Sequence, residues 1–248
     1  MDKNRKKEKI KACIAIACIV LVILFTGIIA IKYNVEGETQ LPFNLKKITV
    51  VSTAEGIEKQ GAEEKWNLKI YQNNDIYFSI EKNDSITDEE ILNSISIENI
   101  EITSMPKVGE IKTYMPNSLD GRLFSYEEDY IVEENKLTYK GATKSNAKTL
   151  EIGNQGGTAV IRFSNIGIGS LISNDEEEIK HDGTMLTKVG INNEDIKFNV
   201  NFDFIINLKN KSYKTNITLE LPCDETLITD GTCSKEIIDE FVFKRVNK

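Results

Sequence analysis

The chain is poor in the residues that mark most catalytic and metal chemistry. Among its 248 residues are one histidine, one tryptophan, four cysteines and four prolines. With His181 alone, any Ser-His-Asp or Cys-His site must use that residue. It lies in "EEEIKHDG", where it reads as a solvent-facing side chain at a short helix end. No G-x-S-x-G accompanies it, and zinc would need an H-x-x-x-H or C-x-x-C spacing that the chain lacks. "SNDEEEIKHDG" supplies Asp175, Glu176, Glu177, Glu178 and Asp182 as hard oxygen donors. Consecutive acids depart from the alternating ligands of a calcium loop, so they read as a solvated turn. "GNQGG", Gly153 to Gly157, is without the lysine and following helix of a phosphate loop, and reads as a tight turn. No catalytic, cofactor-binding or metal-binding residue is assigned, and no cofactor is expected.

What the chain does have is one long apolar run. "ACIAIACIVLVILFTGIIAI", Ala12 to Ile31, carries no formal charge. Twenty helical residues at about 1.5 Å each reach about 30 Å, the depth of a bilayer's hydrocarbon core. Lys3, Arg5, Lys6, Lys7, Lys9 and Lys11 precede it, and only Lys32 follows before Glu36 and Glu38. By the positive-inside rule, residues 1–11 form a basic cytoplasmic tail, 12–32 a single transmembrane helix, and 33–248 an extracytoplasmic domain. The run is longer than a signal-peptide core. Its best small-x-small cleavage site, ending at Ala30, has Ile28 where a small residue is wanted. A lipoprotein reading fails because seven large apolar residues follow Cys18, and a type IV pilin start would need a glycine and a glutamate at the head of the run. The segment is read as an uncut anchor.

Positions 1–32 hold seven basic and two acidic residues, leaving 24 against 37 outside, a net charge of −13. Such a field disfavours nucleic acid and anionic surfaces as partners. Outside the span the only cysteines are Cys223 and Cys233, in "LPCDETLITDGTCS". An oxidising compartment permits a disulfide closing this short loop, worth about 2–3 kcal/mol in the chain-entropy picture; two reduced thiols are the alternative.

The 216 residues after the span alternate in a way that predicts strands. "DIKFNVNFDFIINLKN", Asp195 to Asn210, places Phe or aliphatic residues at every even position from 196 to 208. "SYKTNITLEL" alternates in the same way, and the two predict an antiparallel hairpin. A second hairpin is expected from "KWNLKIY" and "DIYFSIEK", with "QNND" as the turn between them. Further strands are expected at Ile48–Ser52, Ile97–Thr103, Glu110–Met115, Leu137–Lys140, Thr149–Ile152, Ala159–Phe163 and Phe241–Val246, with a bulge or bend at Glu98–Asn99. Helix starts are expected at Thr87, by its capping-box partner Glu90, and at Ser173. The fold class is mainly β: a mostly antiparallel, two-layer β-sandwich-like domain with one or two short helices behind a transmembrane helix.

"EGETQLPFNLKKITVVSTAEG" and "GNQGGTAVIRFSNIGIGSLISNDEEE" resemble uncharacterised single-pass membrane-anchored proteins of low-GC Gram-positive bacteria, a group for which no activity is known. The resemblance implies a bacterial cell-envelope protein and carries over no site. The functional expectation is a non-enzymatic binding or assembly module, meeting other envelope proteins or cell-wall material through strand edges and loops. Two alternatives are a glycan-active enzyme using paired carboxylates, whose geometry leaves no sequence signature, and a minor component of a pilus or secretion assembly.

Overall fold

A computed structural model describes residues 2–35, 37–38, 41–59, 66–84, 90–117, 122–142, 149–174, 184–238 and 241–246. The first element is helix α1 (Asp2–Val35). Its window Ile14–Ile31 has a mean hydropathy of 3.2 and is not covered by any other part of the chain, so the helix is long and apolar enough to cross a membrane. Thr26 is accommodated there because its hydroxyl donates back to the carbonyls of Val22 and Ile23, at 2.9 and 3.0 Å.

Eleven strands follow among the described residues. They are β1 (Phe43–Glu58), β2 (Trp66–Lys82), β3 (Leu92–Ser104), β4 (Glu110–Tyr114), β5 (Leu137–Ala142) and β6 (Glu151–Gly153). After them come β7 (Gly156–Ser173), β8 (Phe198–Leu208), β9 (Ser212–Leu221), β10 (Thr232–Ile237) and β11 (Lys244–Val246). They form one hydrogen-bonded sheet in the order β10-β1-β2-β7-β6-β5-β3-β8-β9-β11, and β4 pairs with β7 on the edge opposite β2, which it shares with β6. Each ladder is antiparallel except the short β5–β6 pair. The sheet turns a corner at β6, which meets β7 through the single pair Gly153↔Gly156. Beyond it the two halves face each other: Phe78 of β2 stacks on Phe204 of β8 at 4.9 Å and meets Phe202 edge-on at 5.7 Å. The domain is thus mainly β and two-layered, as the alternation predicts.

The β8–β9 hairpin is present, but β8 begins at Phe198 rather than Asp195. Asp195 is held in a short helix, α3 (Asn193–Ile196), where its carboxylate accepts the Asn192 N–H at 3.0 Å. The bulge expected at Glu98–Asn99 is found, with Asn99 at φ 54° and the register slipping between Glu98 and Glu101. "GNQGG" is the β6–β7 turn, where Gly156 has φ +104° and a Cβ would meet the Ile80 carbonyl oxygen at 2.1 Å. The last expected strand shrinks to Lys244–Val246. The Thr87 helix start falls on residues outside those described, and from Leu92 the chain is already β3. The Ser173 start also leads into undescribed residues, with Ser173 itself the end of β7.

One expectation is overturned. "QNND" is not a turn: β2 runs unbroken from Trp66 to Lys82, and Gln72, Asn73 and Asn74 are fully buried in its middle. Asn and Asp tolerate turn geometry, but here the segment is laddered on both sides, Asn74 opposite Ser52 of β1 and Phe163 of β7. Partners on neighbouring strands supply the hydrogen bonds that a turn would have supplied.

This polar band divides the interior. On one side lies the main core between the layers, including Ile48, Phe78, Phe163, Phe202, Phe204 and Phe243. On the other, Leu68, Ile70 and Ile168 extend past the sandwich and are covered by three four-residue helices, α2 (Met185–Lys188), α3 and α4 (Leu227–Asp230).

Candidate binding groove and the thiol pair beside it

Layer one ends at β10 and layer two at β9 and β11, and these edges lie along the same side of the sandwich. Among the described residues, β10 pairs with β1 alone. β9 has ten residues; β8 pairs with its inner edge, and β11 covers only Ser212 to Lys214 on the outer one. Among the described residues, nothing pairs with the outer edge of β9 from Thr215 to Leu221. A groove of about 550 Å³ runs between the two edges, with Ile48, Ile217, Leu219, Ile237, Phe241 and Val242 on its walls.

The groove follows from local sequence. On β9, Thr215, Ile217 and Leu219 turn inward while Asn216, Thr218 and Glu220 are exposed, so one wall is apolar and its rim hydrogen-bonding. The strap from Phe241 to Val246 closes the lower end: Phe243 is buried against Phe204, ring centroids 6.4 Å apart, and its carbonyl accepts the Glu38 N–H at 2.8 Å. Residues just past the apolar helix therefore bind directly to the strap.

The upper end is set by the β9–β10 connection. Asp224 accepts the Thr226 N–H at 2.9 Å, which starts the turn and holds its carboxyl below the usual carboxylate range. α4 follows, and Gly231 ends it at φ +68°, its carbonyl accepting the Ala54 N–H at 2.8 Å. That bond delivers the chain to β1, where it becomes β10. The disulfide candidates lie at either end of this connection. Cys223 is half-buried, Cys233 is buried, and the two thiols face each other with Sγ 3.4 Å from Sγ. Ser52 joins them to the polar band: its Oγ accepts the Cys223 N–H at 3.1 Å and donates to Asn74 Oδ1 at 2.7 Å, where Gln72 Nε2 also donates at 2.8 Å.

A second polar group lies on the outer face of β1, β2 and β7. Arg162 makes two bonds to Asp75, Nε at 2.6 Å and Nη2 at 2.8 Å, with its guanidinium 4.4 Å from the centre of the Phe124 ring. Tyr126 donates to Glu55 Oε2 at 2.5 Å and accepts from Asn73 Nδ2 at 2.7 Å. Burial, then Glu55, push the Tyr126 phenol far above its ordinary range. Its partners are all within the chain, and its effect is to pin the Phe124–Ile131 segment over the sheet.

His181 and the acids at 175–178 and 182 lie outside the described residues. Sequence reasoning missed the groove and both polar groups. Alternation identified Ile217 and Leu219 as inward-facing, but only the strand order reveals that β9 and β10 do not pair. No protein-family model, curated protein or solved structure matches the chain.

Proposed function

We propose that the chain is a single-pass membrane protein of a bacterial envelope, with residues 1–11 cytoplasmic and the β domain outside. There the domain acts as a non-enzymatic binding or assembly module. The lysines and arginine ahead of the apolar run support that orientation. The observation that carries the binding role is the unzipped side of the sandwich, where β9 presents an unpaired backbone edge above a groove lined by aliphatic side chains such as Ile217 and Leu219 and by polar ones such as Thr218 and Lys244. The occupant is an extended segment of another envelope polypeptide, added antiparallel to β9 where β11 leaves off. Its side chains would alternate: aliphatic ones enter the groove, and Thr, Asn or Ser face Asn216 and Thr218, with a basic residue opposite Glu220.

A photo-crosslinking residue at Thr218 tests this in intact cells, against one at Ile172, which is exposed at the end of β7. The expected result is an adduct from position 218 only, its partner residues mapping to one alternating stretch of a different envelope polypeptide. Equal adducts from both positions would refute the groove. Adducts only between copies of this chain would reassign it to self-association, and turnover of a wall glycan by the purified chain would return the enzymatic alternative.

A further inference from the structure

We infer that Cys223 and Cys233 are a modification site: thiol–disulfide exchange joins them, and the bond fixes the spacing of the two groove walls. This rests on the outward placement of the domain proposed above, because exported domains meet oxidising conditions.

The argument begins with position. Cys223 is the second residue beyond β9, and Cys233 is the second residue of β10. These strands are the free edges of opposite layers, so a bond between the two cysteines ties layer to layer at the end of the groove opposite the strap. The sulfurs are already 3.4 Å apart. Ser52 holds both against β1: Cys233 is its register partner, and Cys223 donates its N–H to the Ser52 hydroxyl oxygen.

The two sulfurs differ in access. Cys223 is half-buried, whereas Cys233 is buried. Cys223 is therefore the sulfur that an incoming reagent meets. The hydrogen bond from the Cys233 thiol holds Cys223 below the ordinary thiol range, to about 6, and the same contact pushes Cys233 up. In the first step the Cys223 thiolate attacks one sulfur of an external disulfide, forming a mixed disulfide and releasing one external thiolate. In the second, Cys233 gives up its proton to solvent and attacks Cys223 Sγ, releasing the other external thiolate. Two protein thiols are oxidised and one external disulfide is reduced to two thiols. A thiol reagent reverses both steps.

The full chain provides the test. Cells are acid-quenched, free thiols alkylated, and the peptides mapped with and without reduction; Cys13 and Cys18 fall in other peptides. The 223 and 233 peptides should be recovered linked, and separate after reduction. In detergent, the reduced chain should close with oxidised glutathione, and reduction should lower its Tm by about 5–10 °C. The Cys223→Ser/Cys233→Ser chain should show no such shift. Alkylation of both cysteines without reductant in the cell sample would overturn the modification, as would failure to close in detergent. Adduct yield from position 218 is read separately: an adduct unchanged by reduction overturns the clamp and leaves the groove standing, while a closed disulfide with no adduct does the reverse.

Discussion

Replacing Arg162 by methionine tests whether the outer polar group holds the domain together. Arg162 and Asp75 are register partners on β7 and β2, joined by two bonds of 2.6 and 2.8 Å, with 14% and 13% of their side chains exposed. Methionine fills much of the arginine stem's space, so packing is largely kept and the chemical change is an Asp75 carboxylate left with no cation. Breaking such a pair from one side costs about 3–5 kcal/mol, and the stacking of the guanidinium on Phe124 adds up to about 1. For a domain of this size that is a Tm lower by about 6–24 °C. The Asp75→Leu/Arg162→Met chain removes both charges, and most of the loss should return, because well-packed apolar residues replace such pairs at little cost. Urea and thermal unfolding of the full chain in detergent measure both. Amide exchange adds a local reading: protection should fall first at Phe124–Ile131, which Arg162 and Tyr126 fasten to the sheet. A single-variant cost below about 1 kcal/mol would refute the reasoning, since it would mean that water already solvates Asp75.

Gly156→Ala should destabilise the domain by more than the about 1–3 kcal/mol of a strained backbone, since its φ of +104° is compounded by the Ile80 carbonyl oxygen 2.1 Å from the new methyl; urea unfolding reads it. Tyr126 should stay protonated at about pH 11 in the folded domain, seen as a phenol missing from an ultraviolet difference titration until unfolding releases it. Tyr126→Phe should cost about 1–2 kcal/mol, because Asn73 and Glu55 still bond each other at 2.8 Å. Asp203 supplies a pH dependence. Burial acts to raise its pKa, but hydrogen bonds from Asn99, Asn216 and Lys214 outweigh this and hold it below the ordinary value. Its contribution is complete above the unfolded value of about 3.9 and is lost as pH falls through the lower folded one. Asp203→Asn should therefore flatten the acid limb of a urea-midpoint profile between about pH 5 and 2, and an unchanged limb would refute the assignment.

Periodicity exposed those parts of the fold in which one strand face is apolar and the other wet. β8 and β9 alternate so cleanly that their hairpin and its inward face were legible from residues 196–221 alone. β2 was legible only in halves. Trp66, Leu68 and Ile70 share a face with Ile76, Phe78 and Ile80, but Gln72 and Asn74 occupy the inward positions between them. A sequence does not announce that Ser52, 22 residues earlier, will supply the hydrogen bond that lets Asn74 sit there. The helices α2, α3 and α4 were not legible for a related reason: four residues carry no periodicity, and these turns exist because they cover Leu68, Ile70 and Ile168. The cysteine pair was legible as a candidate from its spacing. That its two members lie on opposite layers was not, since this depends on strand order.

The asymmetry of the sandwich also bears on where selection of a partner could act. On the closed side, β5, β6 and β7 carry the sheet around the corner by backbone pairing, and glycines at 141, 153 and 156 let the chains approach. On the other side the chain crosses between layers through Pro222–Gly231, which is too tightly turned to extend either edge. Closure there falls to side chains: the strap through Phe243 at one end, the Ser52–Cys223–Cys233 contacts at the other. Side-chain closure is sparse and adjustable where backbone closure is continuous. The stretch of β9 between those two fastenings is, on the proposed reading, where an added strand would complete the sheet without displacing any backbone pairing among the described residues.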